Sequence, residues 1–153
     1  MNALELLTED HEKVAELFSQ LEDSESESAR LNLFGKIKTE LETHTHIEET
    51  LFYPMLEDYE ELQDLITQAY EEHKQVKTLL REIEQLARGS VLLDAKLNVL
   101  QENVEHHVEE EEGELFPQVE DIIEEEELEN LGNEMMTAKQ EFQKAYKATS
   151  GRK

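Results

Sequence analysis

The chain has 153 residues and a formal net charge of −25. An acidic surface of that density repels nucleic acid and anionic membranes, so neither is expected as a partner, while it gathers cations. With no cysteine there is no disulfide, iron–sulfur cluster or thiolate zinc site, and any metal must be held by nitrogen and oxygen.

Only 5 Gly and 2 Pro interrupt a run of good helix formers, which implies an all-α protein. The first helix begins at Asn2, whose side chain caps it while Glu5 closes a capping box. Its apolar face reads Leu4, Leu7, His11, Val14, Leu17 or Phe18, and Leu21. The acidic, serine-rich run Asp23 to Ser28 is expected as a loop, because Ser and Asp compete with a helix for backbone hydrogen bonds. A second helix carries Leu33 or Phe34, Ile37, Leu41, His44, Glu48, Leu51 and Met55 on one stripe, with Pro54 marking its last turn. The third shows Leu62, Leu65 or Ile66, Ala69, His73, Val76, Leu80, Ile83 and Leu86, and stops at Gly89. Ser90 caps the fourth, whose stripe of Leu93, Leu97, Leu100, Val104, His107, Glu111 and Leu115 ends at Pro117. After the acidic run Glu124 to Glu127 comes a short helix with Leu128, Leu131, Met135, Phe142 and Tyr146, placed outside the bundle and without ligand-like residues.

Short connections make consecutive helices antiparallel, so the expected architecture is an up-down-up-down four-helix bundle with a short extra C-terminal helix. One domain covers 1–153, the bundle about 2–118 and the acidic run and last helix about 119–150. No apolar stretch approaches the ~20 residues that span a membrane, and the amino terminus reads as no secretory signal, so the expected location is the cytoplasm.

Within this frame the chain repeats a phrase. His44, Glu48, Glu49 and Pro54 recur with identical spacing as His107, Glu111, Glu112 and Pro117, 63 residues later. A lone histidine precedes each copy, His11 by 33 residues and His73 by 34. His at i and Glu at i+4 share one helix face, and both bind metals. At 1.5 Å rise per residue, all four histidines lie roughly 15 Å from the same end of the bundle. Burying four imidazoles and two carboxylates at one level costs on the order of several kcal/mol per charged group unless something compensates. Two metal cations compensate directly; an unmetallated polar core is the competing reading. Zinc would accept a smaller tetrahedral set, so iron leads, with manganese or zinc behind it.

The duplicated His … His-x₃-Glu pattern resembles hemerythrin-like proteins of the HHE cation-binding class, over residues 2 to about 118. That resemblance implies a non-haem di-iron centre with an oxo or hydroxo bridge. It implies His11 and His44 on one iron, His73 and His107 on the other or shared in a related pairing, and Glu48 and Glu111 as bridging carboxylates. One position departs. Oxygen-carrying hemerythrins have a fifth histidine one turn after the helix 3 ligand, where this chain has Lys77, expected to reach for the surface. An iron left open there suits a small diatomic ligand or peroxide.

His46 and His106 fall off the apolar stripes and are expected at the surface. Glu49 and Glu112 are read as partners that orient an imidazole, against plain solvated glutamates. Phe52, Tyr53 and Phe116 are read as core packing, with Tyr53 and Tyr70 the aromatics that could line the site. Two functional classes follow. One is a protein that binds, senses or stores iron, oxygen or nitric oxide; the other is a di-iron enzyme that detoxifies peroxide or reduces nitric oxide.

Overall fold

The computed structural model describes residues 1–150. Helices α1 (Ala3–Asp23), α2 (Glu27–Ile47), α3 (Tyr53–Leu56), α4 (Gln63–Glu84), α5 (Leu92–Glu110), α6 (Phe116–Ile122) and α7 (Glu125–Ser150) make up the chain, and the described residues contain no strand. The α2–α3 and α5–α6 pairs are each one continuous rod, joined through a single wide π turn at Glu48–Phe52 and Glu111–Leu115. Four antiparallel rods therefore form an up-down-up-down bundle, and α7 lies along α1 and α2. None of the described helices is long and apolar enough to cross a membrane.

The caps at the start of the chain form as the sequence implies. Asn2 accepts the Glu5 N–H and Glu5 accepts the Asn2 N–H, both at 2.9 Å. Elsewhere the boundaries move. The loop after α1 is shorter than Asp23 to Ser28, since Ser26 accepts the Ala29 N–H at 3.1 Å and so starts α2 at Glu27. Helix α4 ends at Glu84 rather than at Gly89. Gly89 instead supplies a turn at φ 79°, and its N–H donates to Glu27 at 2.9 Å. Ser90 accepts the Leu92 N–H at 3.2 Å at the head of α5.

Pro54 does lie in the last turn of its rod, which ends at Leu56, whereas α6 runs past Pro117 to Ile122. Proline lacks an N–H, and its ring clashes with the carbonyl four residues earlier. Here the preceding turn widens instead: Tyr53 N–H bonds to Glu48 C=O and Phe116 N–H to Glu111 C=O, five residues back. The inserted residue shifts the face that follows. Leu51 and Met55, expected inward, are half-buried, whereas Phe52, Tyr53 and Leu56 are fully buried.

The core has two apolar halves with a polar layer between them. Leu4, Leu7, Ile47, Phe52, Ile66 and Phe116 belong to one half, and Val14, Phe18, Ile37, Leu41, Leu80 and Leu100 to the other. Between them along the rods fall His11, His44, His73 and His107. Helix α7 is a long helix rather than a short one, at 26 residues, and Glu125–Glu127 form its first turn, where carboxylates favour the helix dipole. Its Leu128, Leu131 and Met135 are buried in the first half-core, and Asn2 donates to Glu125 at 3.0 Å.

Gly132 lets α7 approach this closely. A Cβ there would stand 2.4 Å from the Met1 carbonyl oxygen and 2.9 Å from the Ala3 nitrogen. Gly132→Ala is expected to destabilise by about 1–3 kcal/mol through overpacking, although alanine favours a free helix. Gly35→Ala, in open space on α2, is expected to stabilise by about 0.5–1 kcal/mol. Urea melts of the two variants check the opposite signs.

Candidate metal centre

Every rod of the bundle sends one histidine into the polar layer, and the two π-turn rods each add a glutamate. His11, His44, His73, His107, Glu48 and Glu111 are all buried, at 7% exposure or less. Each imidazole is held from outside by a carboxylate on Nδ1. Glu112 takes the Nδ1–H of His11 at 2.6 Å, Asp10 that of His44 at 3.1 Å, Glu49 that of His73 at 2.7 Å and Glu72 that of His107 at 2.7 Å. An ionised carboxylate only accepts, so this bond fixes the tautomer and leaves each Nε2 facing inward.

The inward atoms converge on two places. His11, His44, Glu48 and Glu111 bring one donor atom each within 4.8 Å of one another, and Glu48, His73 and His107 do the same. His11 Nε2 lies 3.2 Å from Glu111 Oε1, and His44 Nε2 3.1 Å from Glu48 Oε1. His73 Nε2 lies 3.0 Å from Glu48 Oε1 and 3.2 Å from His107 Nε2. Ligands at right angles on one cation, with bonds of about 2.1 Å, stand about 3 Å apart. Four buried atoms of the layer find no properly directed hydrogen bond among the described residues: His11 Nε2, His44 Nε2, Glu48 Oε2 and Glu111 Oε1. Unpaired polar atoms aimed at a common point are costly unless a cation sits there. The residues present fit bound metal cations.

Two members of the layer escape the sequence reading, and a third, Tyr53, follows its alternative reading. Asp10 and Glu72 immediately precede the lone histidines His11 and His73, so an acid-His pair is itself repeated, but it is inconspicuous in so acidic a chain. Tyr53 packs in the core as expected, yet its hydroxyl reaches the centre. It donates to Glu111 at 2.5 Å and stands 3.2 Å from both Glu48 Oε1 and His73 Nε2. Tyr70 stays outside, donating to Glu57 at 3.4 Å. Glu49 and Glu112 are the expected imidazole partners in the geometry above. Lys77 turns away from the centre and donates to both oxygens of Glu49 at 2.9 Å. Lys139 of α7 donates to Asp10 at 2.6 Å, so the last helix does reach the site's outer ring. His46 and His106 are exposed; His46 stacks on Phe142 at 4.6 Å, and His106 lies 3.5 Å from Glu110.

On the face away from Tyr53, the layer borders a cavity of about 20 Å³, enough for one water-sized molecule. Val14, Leu41, Val76, Val104 and Val108 line it beside the four imidazoles.

A profile of the hemerythrin HHE cation binding domain matches residues 2–119. The chain belongs to that family. A solved HHE cation-binding domain protein, the Rv2633c homologue from Mycobacterium kansasii, superposes with a TM-score of 0.87 at 28% identity, covering 100% of this chain and 94% of that one. A protein called DNA nickase from Nostoc sp. is 28% identical over 143 residues; the match takes in 94% of this chain but only 40% of that relative's length. The HHE family binds cations, and the buried His/Glu groups of this member are its candidate site.

Protons compete with cations for these atoms. Burial opposes a charge on His44, but the carboxylates of Glu48 and Asp10 outweigh it and lift the imidazole from 6.5 to about 10. His107 is likewise raised despite burial, by Glu111, Glu48 and Glu72. Burial pushes Glu48 up, and the surrounding imidazoles hold it well below its ordinary 4.5. Burial and its two carboxylate neighbours push the Tyr53 hydroxyl well above 10.0. A raised histidine stabilises the metal-free fold fully below 6.5, and that contribution is lost as pH climbs through about 10. A lowered carboxylate contributes above 4.5 and loses its effect as pH falls. Thermal melts of the metal-free protein are therefore expected to peak between those ordinary values and decline toward pH 10. In His44→Gln the alkaline decline should be shallower; an unchanged slope would remove His44 from the account.

Proposed function

We propose that this HHE domain holds two iron ions and that the pair binds a small molecule, serving to sense, store or carry iron, oxygen or nitric oxide. The observation that carries the reading is the pair of donor groups sharing Glu48, with four buried donor atoms left unpaired among them. His11 and His44 would hold one ion, His73 and His107 the other, with Glu48 and Glu111 between them. A mixed nitrogen and carboxylate set with no thiolate suits iron, and manganese or zinc follow. Two irons would supply one-electron steps at positions open to a small ligand.

The protein's own residues do the rest. The four outer carboxylates keep the imidazoles in register and strengthen them as donors. The valine-lined cavity beside the four imidazoles would offer room for one small ligand of about the size of a water molecule. Peroxide detoxification or nitric oxide reduction at the same cavity is the second reading, favoured by Lys77 standing where a fifth imidazole would fill a position. The acidic surface argues against a nucleic acid partner, so the likeness to part of a DNA nickase is taken as a shared domain rather than a shared activity. The cytoplasm is the proposed location.

Elemental analysis after anaerobic ferrous loading is expected to find two irons per chain. His73→Ala should lose stoichiometric binding and His46→Ala should keep it. Glu49→Gln should weaken iron binding by about 10–100-fold, the usual cost of losing an imidazole's outer partner. Steady peroxide turnover by the loaded protein would move the conclusion to the enzyme; binding without turnover keeps it as stated. No stoichiometric metal in the unsubstituted protein would end both.

A further inference from the structure

Asp10 and Glu72 are equivalent in the repeat, yet they meet opposite surroundings. Each takes the Nδ1–H of its half's second histidine, His44 or His107, through one oxygen and turns the other outward. On the α1–α2 side the outward oxygen of Asp10 receives the Lys139 ammonium at 2.6 Å. Around it, the positions four before the acid and one before and three after the second histidine are Leu6, Thr43 and Ile47. All three are buried where α7 packs along α1 and α2. On the α4–α5 side those positions are Gln68, His106 and Glu110, and Gln68 and His106 are exposed. No lysine or arginine among the described residues pairs with Glu72 or Glu110; their ion-pair partners are histidines. Glu72 Oε2 instead faces His106 Nε2 at 3.6 Å and Gln68 Nε2 at 3.2 Å. Glu110 Oε1 stands 3.5 Å from the same imidazole nitrogen and 2.7 Å from the same amide. One half thus fills this place with an ammonium, and the other surrounds it with donors.

We propose that Glu72, His106 and Glu110 form a cation site of their own on the α4–α5 face, which takes a divalent transition-metal ion of the zinc type. Each of the three brings one donor atom within 4.8 Å of the others. Tetrahedral ligands with bonds of about 2.0–2.1 Å stand about 3.4 Å apart, close to the separations His106 keeps from both carboxylates. Gln68 with Glu72 and His106 with Glu110 are i,i+4 pairs, so each faces the site from one side of a rigid helix. Gln68 adds a fourth donor: a half-turn of its amide replaces Nε2, which donates to the carboxylates, with Oε1, which ligates. An imidazole among the donors selects zinc-like ions over calcium or magnesium, which prefer oxygen alone. Glu72 keeps Oε1 on His107 and offers Oε2 to the ion, so this site and the buried centre share a residue without sharing an atom. The site does not depend on what the buried centre holds.

Zinc is the probe. The metal-free protein, His106→Gln, Glu110→Gln and, as a control, His46→Gln are dialysed against zinc at high salt, which screens diffuse attraction to the acidic surface, and the bound metal is counted. All three substitutions lie at exposed or half-buried positions, so the variants are expected to fold. The unsubstituted protein and His46→Gln should each hold one zinc per chain more than His106→Gln or Glu110→Gln, whatever number the buried centre takes. In the unsubstituted protein, the imidazole resonances of His106 should move on zinc titration while those of His46 stay, a readout that needs no variant. Equal zinc in the unsubstituted protein and His106→Gln, or a His106 signal that does not move, would overturn the site. Loss of the same ion from His46→Gln would also overturn it, marking adventitious binding by surface imidazoles. The two-iron reading is judged separately, by the loading of the buried centre that persists in His106→Gln.

Discussion

Six ionisable groups buried at one level of the bundle set the terms for everything else in this fold. An isolated charge in a core costs several kcal/mol, so none of the six can stand alone. The chain meets this by surrounding the layer twice. Glu48 and Glu111 face the imidazoles from inside, and Asp10, Glu49, Glu72 and Glu112 hold them from outside. The outer ring is then anchored to the surface, Asp10 by Lys139 and Glu49 by Lys77. A rod that slipped by a single residue would swing its histidine about 100° out of the layer. The polar groups thus fix the register that two apolar half-cores alone would leave loose.

The outer ring follows a rule across the repeat. Asp10 and Glu72 serve a histidine of their own half, His44 and His107. Glu49 and Glu112 serve the lone histidine of the other half, His73 and His11. Two bonds therefore stay within a half and two cross between halves, which ties the halves together as well as orienting the rings. Within this symmetry the exceptions stand out on physical grounds. Tyr53 against Phe116 places a hydroxyl on one side only, and Lys77 places a cation beside one crossing carboxylate while Glu112, the other, has none within bonding distance among the described residues.

The histidines and the two inner glutamates were legible because helical spacing alone decides which residues share a face, and a repeat states the pattern twice. The π turns were not. A proline near a helix end reads equally well as a stop or as a widened turn, and only the backbone bonds from Tyr53 to Glu48 and from Phe116 to Glu111 distinguish them. That one ambiguity left the site-lining role of Tyr53 as the lesser reading, since an uninterrupted helix aims Leu51 and Met55 inward instead. Asp10 and Glu72 were hidden by abundance: one more acid beside a histidine carries little information in a chain with 39 of them. The length of α7 was missed because Glu124 to Glu127 looks like a solvated break, whereas acids in a first helical turn favour the helix.

The layer's position also has a consequence for how stability and binding are linked. Placed at the end of the bundle it would disturb one half-core; placed in the middle it separates Leu7 from Val14 on α1 and Ile66 from Val76 on α4. The two halves are then joined side chain to side chain through the polar groups between them. With protons in the layer, that link is a set of ion pairs whose attraction is largely offset by desolvation. With cations in the layer, on the reading proposed above, the link becomes bonds from all four rods to one pair of ions, and binding free energy becomes folding free energy. Helix α7, packed along α1 and α2 with Gly132 against the start of α1, is tied to the outer ring by the bond from Lys139 to Asp10 and so shares the load of the layer.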